Sequence, residues 1–192
     1  MKTDELLRDL TGKVEHIKRE VAALHALDEG TLTWRPEPES WNVLEVLEHL
    51  NRYGAHYLPE IETSISKSKG QAASRYKGGW LGTYFAKSMM PGPAIKKMKT
   101  FKDKDPIHAH LTKEVVAVCL KQLDTTLDLL DRAHQVNLEE IRIKTSISSL
   151  IRLKLGDTFQ FYIHHMVRHM VQIKSIIEAH NRQRAAYKPV IH

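Results

Sequence analysis

The sequence predicts an all-α protein, an antiparallel four-helix bundle with one long crossover between its second and third helices. Three observations carry this. Four stretches repeat apolar residues at the 3.6-residue period of a helix with one buried face. No stretch sustains the two-residue alternation of a half-buried strand. Residues 66–105, between the second and third stretches, are too many for a tight bundle loop. At 192 residues and 22.1 kDa, one domain spanning 1–192 is expected.

The first helix is expected over residues 3–28, with Leu6, Leu10, Val14, Ile17, Val21, Leu24 and Leu27 on its buried side. Gly30 and the Pro36/Pro38 pair should break it. The second begins at Asn42. Asn42 and Glu45 have the spacing of a capping box, and Trp41 with Val46 that of a hydrophobic staple. Val43, Leu47, Leu50, Gly54, Leu58, Ile61 and Ile65 carry this helix to Ser66, with a kink expected at Pro59. Within the crossover, Trp80, Leu81, Tyr84, Phe85 and Met89 suggest a short docked helix, ended by Pro91, Gly92 and Pro93.

The third long helix is expected over 111–133, with Val116, Leu120, Leu123, Leu127 and Leu130 inward and Cys119 as a small core residue. In 137–155, Ile141 and Ile143 alternate with polar residues, as do Ile151, Leu153 and Leu155. Two extended pieces around 145–149 would fit, but the alternation breaks between the groups and the segment reads as irregular. The last helix should open with Asp157 as N-cap and Gln160 at N3. It buries Phe159, Tyr162, Ile163, Met166, Met170, Ile173 and Ile177, and ends near residues 180–181.

Composition narrows the function. The single cysteine excludes an intramolecular disulfide framework and a cysteine-rich zinc site. No apolar run approaches the ~20 residues that span a bilayer. Acidic residues stand in the first ten positions, where a signal peptide would be apolar. A cytoplasmic protein with no membrane partner is therefore expected. The net charge of +6 is concentrated in 66–105, which holds ten Lys or Arg against Asp103 and Asp105. Such a field suits an anionic partner, or simply a solvated loop. If it guides an anionic ligand, neutralising Lys96, Lys97 and Lys99 should mimic high salt. Nucleic acid is disfavoured, because no reading motif is present and the aromatics are not interleaved with the basic residues.

Histidine stands out, at 12 residues. His165 and His169 lie four apart, so both rings share one helix face. His49 borders the apolar face of the second helix. Three histidines from two helices could give a metal site with open positions. Each could equally be a core-edge histidine with one hydrogen-bond partner. His164 falls on the polar side. Gln172 projects with His169 and could orient a ligand or bond a water; an exposed helix glutamine is the plainer reading. Tyr53 and Tyr162 flank the histidines by one turn and would otherwise be packing residues.

The segment LTWRPEPESWNVLEVLEHL resembles the lead-in and second helix of the DinB/YfiT superfamily of bacterial metal-binding four-helix bundles. The segment LKLGDTFQFYIHHMVRHMVQI is similar to its last helix, and helix order and length extend the likeness over most of the chain. Family members often carry Arg-Gly where this chain has Met170 and Val171. The resemblance implies His49, His165 and His169 as ligands of a divalent metal (zinc, nickel or iron), with Gln172 beside them. It implies a metal-dependent enzyme acting on a small molecule, and a homodimer. Members with assigned activities are thiol-dependent S-transferases using a low-molecular-weight thiol; others are described as metal-dependent hydrolases. No Glu stands between His165 and His169, so a HExxH general base is missing. A hydrolase would need His56 or Glu45 as proton shuttle, and Glu45 is already claimed by the cap. The reading therefore leans to a thiol-dependent S-transferase, with a metal-dependent hydrolase second. A non-catalytic metal-stabilised bundle, or one that binds nucleic acid, is the rival of another class.

Overall fold

The computed structural model describes residues 1–90, 100–148 and 150–186. Pro91, Gly92, Pro93, Lys96, Lys97 and Lys99 lie outside them, as do the expected helix stop and charge cluster that rest on those residues. Four long helices form the bundle: α1 (Thr3–Leu24), α3 (Val43–Ser66), α5 (Glu114–Arg132) and α6 (Leu155–Ala186). Two shorter ones are α2 (Glu29–Thr33) and α4 (Trp80–Met89). Among the described residues no helix is long and apolar enough to cross a membrane.

Helices α1 and α3 each pack on both α5 and α6. Their relative directions follow from cross-helix pairs. Asp4 meets His134 and Lys18 meets Asp124, so α1 and α5 are antiparallel. Tyr57 meets Phe161 and His49 meets His169, so α3 and α6 are antiparallel. Asn51 bonds Val115, and Glu62 pairs with Arg132 further along, so α3 and α5 run parallel. Parallel neighbours cannot be joined by a tight turn. The long crossover between them is the geometric consequence.

Helix α1 stops at Leu24, short of the expected 28, because Asp28 starts a new helix. Its carboxylate accepts from the Thr31 N–H at 2.9 Å and the Thr31 hydroxyl at 2.7 Å. Gly30 thus sits inside α2 and does not terminate α1. Helix α3 begins and ends as expected. Both arms of its capping box are made, with Asn42 and Glu45 bonding each other's N–H at 2.9 Å. Pro59 lies within it, and the helix continues to Ser66.

The crossover is fastened at each stage. Its start pairs with the N-terminus: Thr3 N–H donates to Ser74 O and Tyr76 N–H to Met1 O. Its middle is α4, which packs on α6. The docked side of α4 is Gly82, Ala86 and Met89, whereas Trp80 is 83% exposed and Tyr84 65% exposed. The docked helix suggested by the sequence forms, but these two of its aromatics face solvent. The cause is Asp157, which is buried in α6 and accepts from the Tyr76 hydroxyl at 2.6 Å and the Gly79 N–H at 2.9 Å. A Cβ on Gly82 would come within 2.3 Å of that carboxylate, so only glycine allows the approach.

Helix α5 spans Glu114–Arg132 and turns its buried arc towards Val115, Val116, Cys119, Leu123, Thr126, Leu129 and Leu130. Leu120 and Leu127 are only half-buried. Burial raises the Cys119 thiol pKa to about 12, consistent with a core residue. The segment read as irregular contains a hairpin, β1 (Arg142–Lys144) and β2 (Arg152–Lys154), antiparallel with Ile143 opposite Leu153, both buried. Strand β2 runs directly into α6. Leu155 N–H donates to Ile141 O and Gly156 N–H to Leu138 O, so backbone carbonyls satisfy the helix start. Asp157 is therefore inside the helix, free to hold the crossover, and is not the N-cap. Helix α6 also outruns its expected end, reaching Ala186.

Candidate metal centre

His49 on α3 and His165 and His169 on α6 are brought together by the antiparallel packing of those helices. All three are buried, with 3%, 6% and 8% exposure. The Nε2 atom of His165 lies 3.2 Å from Nε2 of His49 and 2.9 Å from Nε2 of His169. Their outer nitrogens are engaged elsewhere. His49 Nδ1–H donates to the backbone carbonyl of Lys104 at 2.8 Å. His169 Nδ1–H donates to Gln172 Oε1, also at 2.8 Å. The Nδ1 atom of His165 is buried without a hydrogen-bond partner among the described residues.

This arrangement fits a metal ion on two counts. Two nitrogens each about 2.0–2.1 Å from one tetrahedral ion stand roughly 3.3 Å apart, close to the separations seen. The proton inventory agrees. With Nδ1 of His49 and His169 protonated, both present bare Nε2 lone pairs to the same point. A single N–H on His165 would be shared between two acceptors, whereas a cation satisfies all three. Donation of the outer N–H to a carbonyl or amide oxygen is how metal-binding histidines are oriented.

The surroundings are apolar and aromatic. The Trp41 ring lies 4.7 Å from His49 and 6.0 Å from His169. Tyr53 lies 5.0 Å from His49 and 4.6 Å from His165, and Phe161 stacks on His165 at 6.2 Å. Burial lowers the pKa of His49 to about 4 and of His169 to about 3, and holds His165 well below its usual value. All three are neutral near pH 7, as metal ligands must be. Burial raises the Tyr53 phenol to about 12, so it stays a proton donor.

The crossover closes over α3 at this point. Asp105 accepts from the Trp41 indole at 3.0 Å and from Ile107 N–H at 3.1 Å. Arg52 donates to the Asp105 carbonyl at 3.0 Å. Glu45 is completely buried. Its Oε1 accepts from Arg35 at 2.9 Å and from His108 N–H at 2.6 Å, while Oε2 holds the Asn42 N–H. His108 has φ 58°, a left-handed backbone uncommon for a non-glycine residue, and it presents its N–H to Glu45. Arg35 also donates to Ser40 O at 2.8 Å, so the lead-in before α3 is tied to the same carboxylate.

Of the remaining candidates, Gln172 and Tyr53 adjoin the histidines. Tyr162 does not: its ring packs on Tyr57 at 5.9 Å, deep in the core. His56 packs edge-on against Tyr57 at 4.8 Å, and its Nε2 has no partner among the described residues. His164, read as a surface residue, donates from Nδ1 to Ala86 O of α4 at 3.1 Å. Sequence reasoning missed the Lys104 carbonyl, which any residue could supply, and Asp105, which read as one acid in a basic run. Trp41, read chiefly as a staple, is a wall of the site. Its place directly before the Asn42 cap was the available signal.

The chain matches the DinB superfamily over residues 14–173, a span that includes all three histidines, and it belongs to that superfamily. No curated protein and no solved structure matches it.

Proposed function

We propose that this member of the DinB superfamily is a metal-dependent enzyme that transfers a group to or from the sulfur of a low-molecular-weight thiol. The observation that carries the choice of reaction is the commitment of Glu45, the acid one helical turn before His49. Its two oxygens are taken by Arg35, His108 and Asn42. Three hydrogen bonds hold this fully buried carboxylate in the cap and the lead-in, so it is poorly placed for general-base work. His56, the other shuttle considered, packs edge-on against Tyr57 at 4.8 Å. A thiol needs less assistance, because a divalent ion bound by three imidazoles favours the thiolate over the thiol. Cys119 is buried with a raised pKa, so the thiol is supplied by a cosubstrate. Each protein residue then has a distinct part. Lys104 and Gln172 fix the ligand tautomers, Trp41 and Phe161 exclude water, and Tyr53 offers a phenolic proton near the site.

The test is a screen of low-molecular-weight thiols with electrophilic acceptors, in parallel with ester and amide substrates. Purified protein reconstituted with zinc, nickel or iron is compared with His165→Ala. Thiol conjugation that needs metal and disappears in the variant supports the proposal. Hydrolysis without thiol would replace it with the hydrolase reading. No turnover in either screen would leave the site a structural one.

A further inference from the structure

We propose that Lys104 forms an anion subsite beside the metal centre, so that the thiol cosubstrate is one carrying a carboxylate. This deepens the thiol-transferase reading and rests on it. Three observations place the subsite. The Lys104 ammonium lies 5.9 Å from the centroid of the Tyr53 ring, and that ring is in turn 4.6 Å from the ring of His165 and 5.0 Å from that of His49. One aromatic ring is therefore neighbour both to a positive charge and to the cluster. The backbone carbonyl of the same lysine holds His49 Nδ1 at 2.8 Å, which locks the position of Lys104 to a ligand. Its side chain is only 14% exposed, although a surface lysine ordinarily keeps its head group in water.

The charge is also available. The ion pair of Lys104 is with its neighbour Asp103 at 3.1 Å, whose side chain is 69% exposed. A pair so open to solvent contributes little, and an incoming carboxylate can take the aspartate's place. Arg52, whose charge also reaches His49, is engaged by Glu48 and by the Asp103 and Asp105 carbonyls. The metal-ligand set contains no carboxylate, so its three neutral donors leave the full charge of a divalent ion uncompensated. With a divalent ion bound at the histidines, that ion and the Lys104 ammonium would be two positive centres that both adjoin the Tyr53 ring. A molecule with a thiolate at one end and a carboxylate at the other is complementary to both.

The test uses the full chain loaded with cobalt(II), whose thiolate-to-metal absorption reports sulfur binding without turnover. It is titrated with N-acetylcysteine and with N-acetylcysteine amide, compared at equal thiolate concentration. The parent should bind the carboxylate at least tenfold more tightly, equivalent to about 1.4 kcal/mol. Lys104→Gln should abolish that preference, and Lys104→Arg should keep it. Equal affinities in the parent overturn the subsite, and this arm requires no variant. A preference that survives in Lys104→Gln arises from chelation by the thiol itself and also overturns it. If cobalt binds and neither thiol gives the absorption band, the thiol-transferase reading fails and the subsite with it. A band of equal strength for both thiols removes the subsite alone.

Discussion

The imidazole of His49 donates from Nδ1 to the carbonyl oxygen of Lys104, 55 positions later in the chain, at 2.8 Å. The crossover thus supplies a backbone acceptor to one of the three candidate metal ligands. The link between α3 and α5 is part of the site as well as a tether.

Asp105 keeps that stretch of the crossover in place through Trp41 Nε1 and Ile107 N–H. Asp105→Ala should free the Lys104 carbonyl and weaken metal affinity by about 10–100-fold, the usual consequence of losing an outer partner of a ligand. Competition with a chromogenic chelator would measure it, with helical circular dichroism unchanged. An affinity equal to the parent's would mean that the carbonyl is held by other contacts.

Gln172 does for His169 what Lys104 does for His49. Gln172→Leu leaves Nδ1–H without its acceptor and should reduce affinity on the same scale, whereas Gln172→Glu should preserve or strengthen it. If the two variants behave alike, the side-chain oxygen is not what orients the ring.

His165→Ala should remove tight metal binding and leave the bundle folded. The apolar cluster runs through all four long helices, from Leu6 to Ile176, independently of the ion. Metal content by elemental analysis should drop, while the melting temperature of the variant should match that of the metal-free parent within a few degrees. Unfolding of the variant would make the histidine a structural core residue.

Acid should destabilise the metal-free protein early. The folded chain holds His49 at about pKa 4 and His169 at about 3, burial being the largest cause, while the unfolded chain titrates near the usual 6.5. Between these values the unfolded state binds protons that the folded state refuses, so stability rises with pH. It should be complete above pH 6.5 and decline as pH falls towards 4. Urea midpoints measured across this range should show the slope, and His165→Leu should lessen it by removing one of the three buried imidazoles. A midpoint constant over the window would show that the imidazoles are not desolvated.

Asp157→Ala should undock the crossover. It strips a charged acceptor from the Tyr76 hydroxyl and the Gly79 N–H, a loss of roughly 2–3 kcal/mol. Hydrogen exchange should quicken in α4 ahead of the long helices. Gly82→Ala should produce the same local loosening by steric means, because its Cβ meets the Asp157 carboxylate. Uniform exchange across the molecule would show that α4 is docked by other contacts.

Helix α3 shows what local chemistry alone can specify. Its start, both arms of its cap, its end at Ser66 and the place of His49 beside its apolar stripe all follow from residues within a few positions of one another. The shared face of His165 and His169 is likewise a matter of helical spacing. These local rules, with the resemblance carried by the lead-in and the last helix, made the bundle and its histidine set legible before any coordinates. The errors fall where a distant segment intervened. Asp157 has the sequence look of an N-cap, yet the 137–141 backbone satisfies the start of α6 and the carboxylate turns to Tyr76 and Gly79. Trp80 and Tyr84 look like docking residues, yet the close approach at Gly82 rotates them into solvent. Only the tertiary structure decided that the crossover returns over α3 to present the Lys104 carbonyl to His49. The physical reason is that a backbone oxygen carries no residue signature. Its partner is chosen by the path of the chain, which the parallel packing of α3 and α5 imposes.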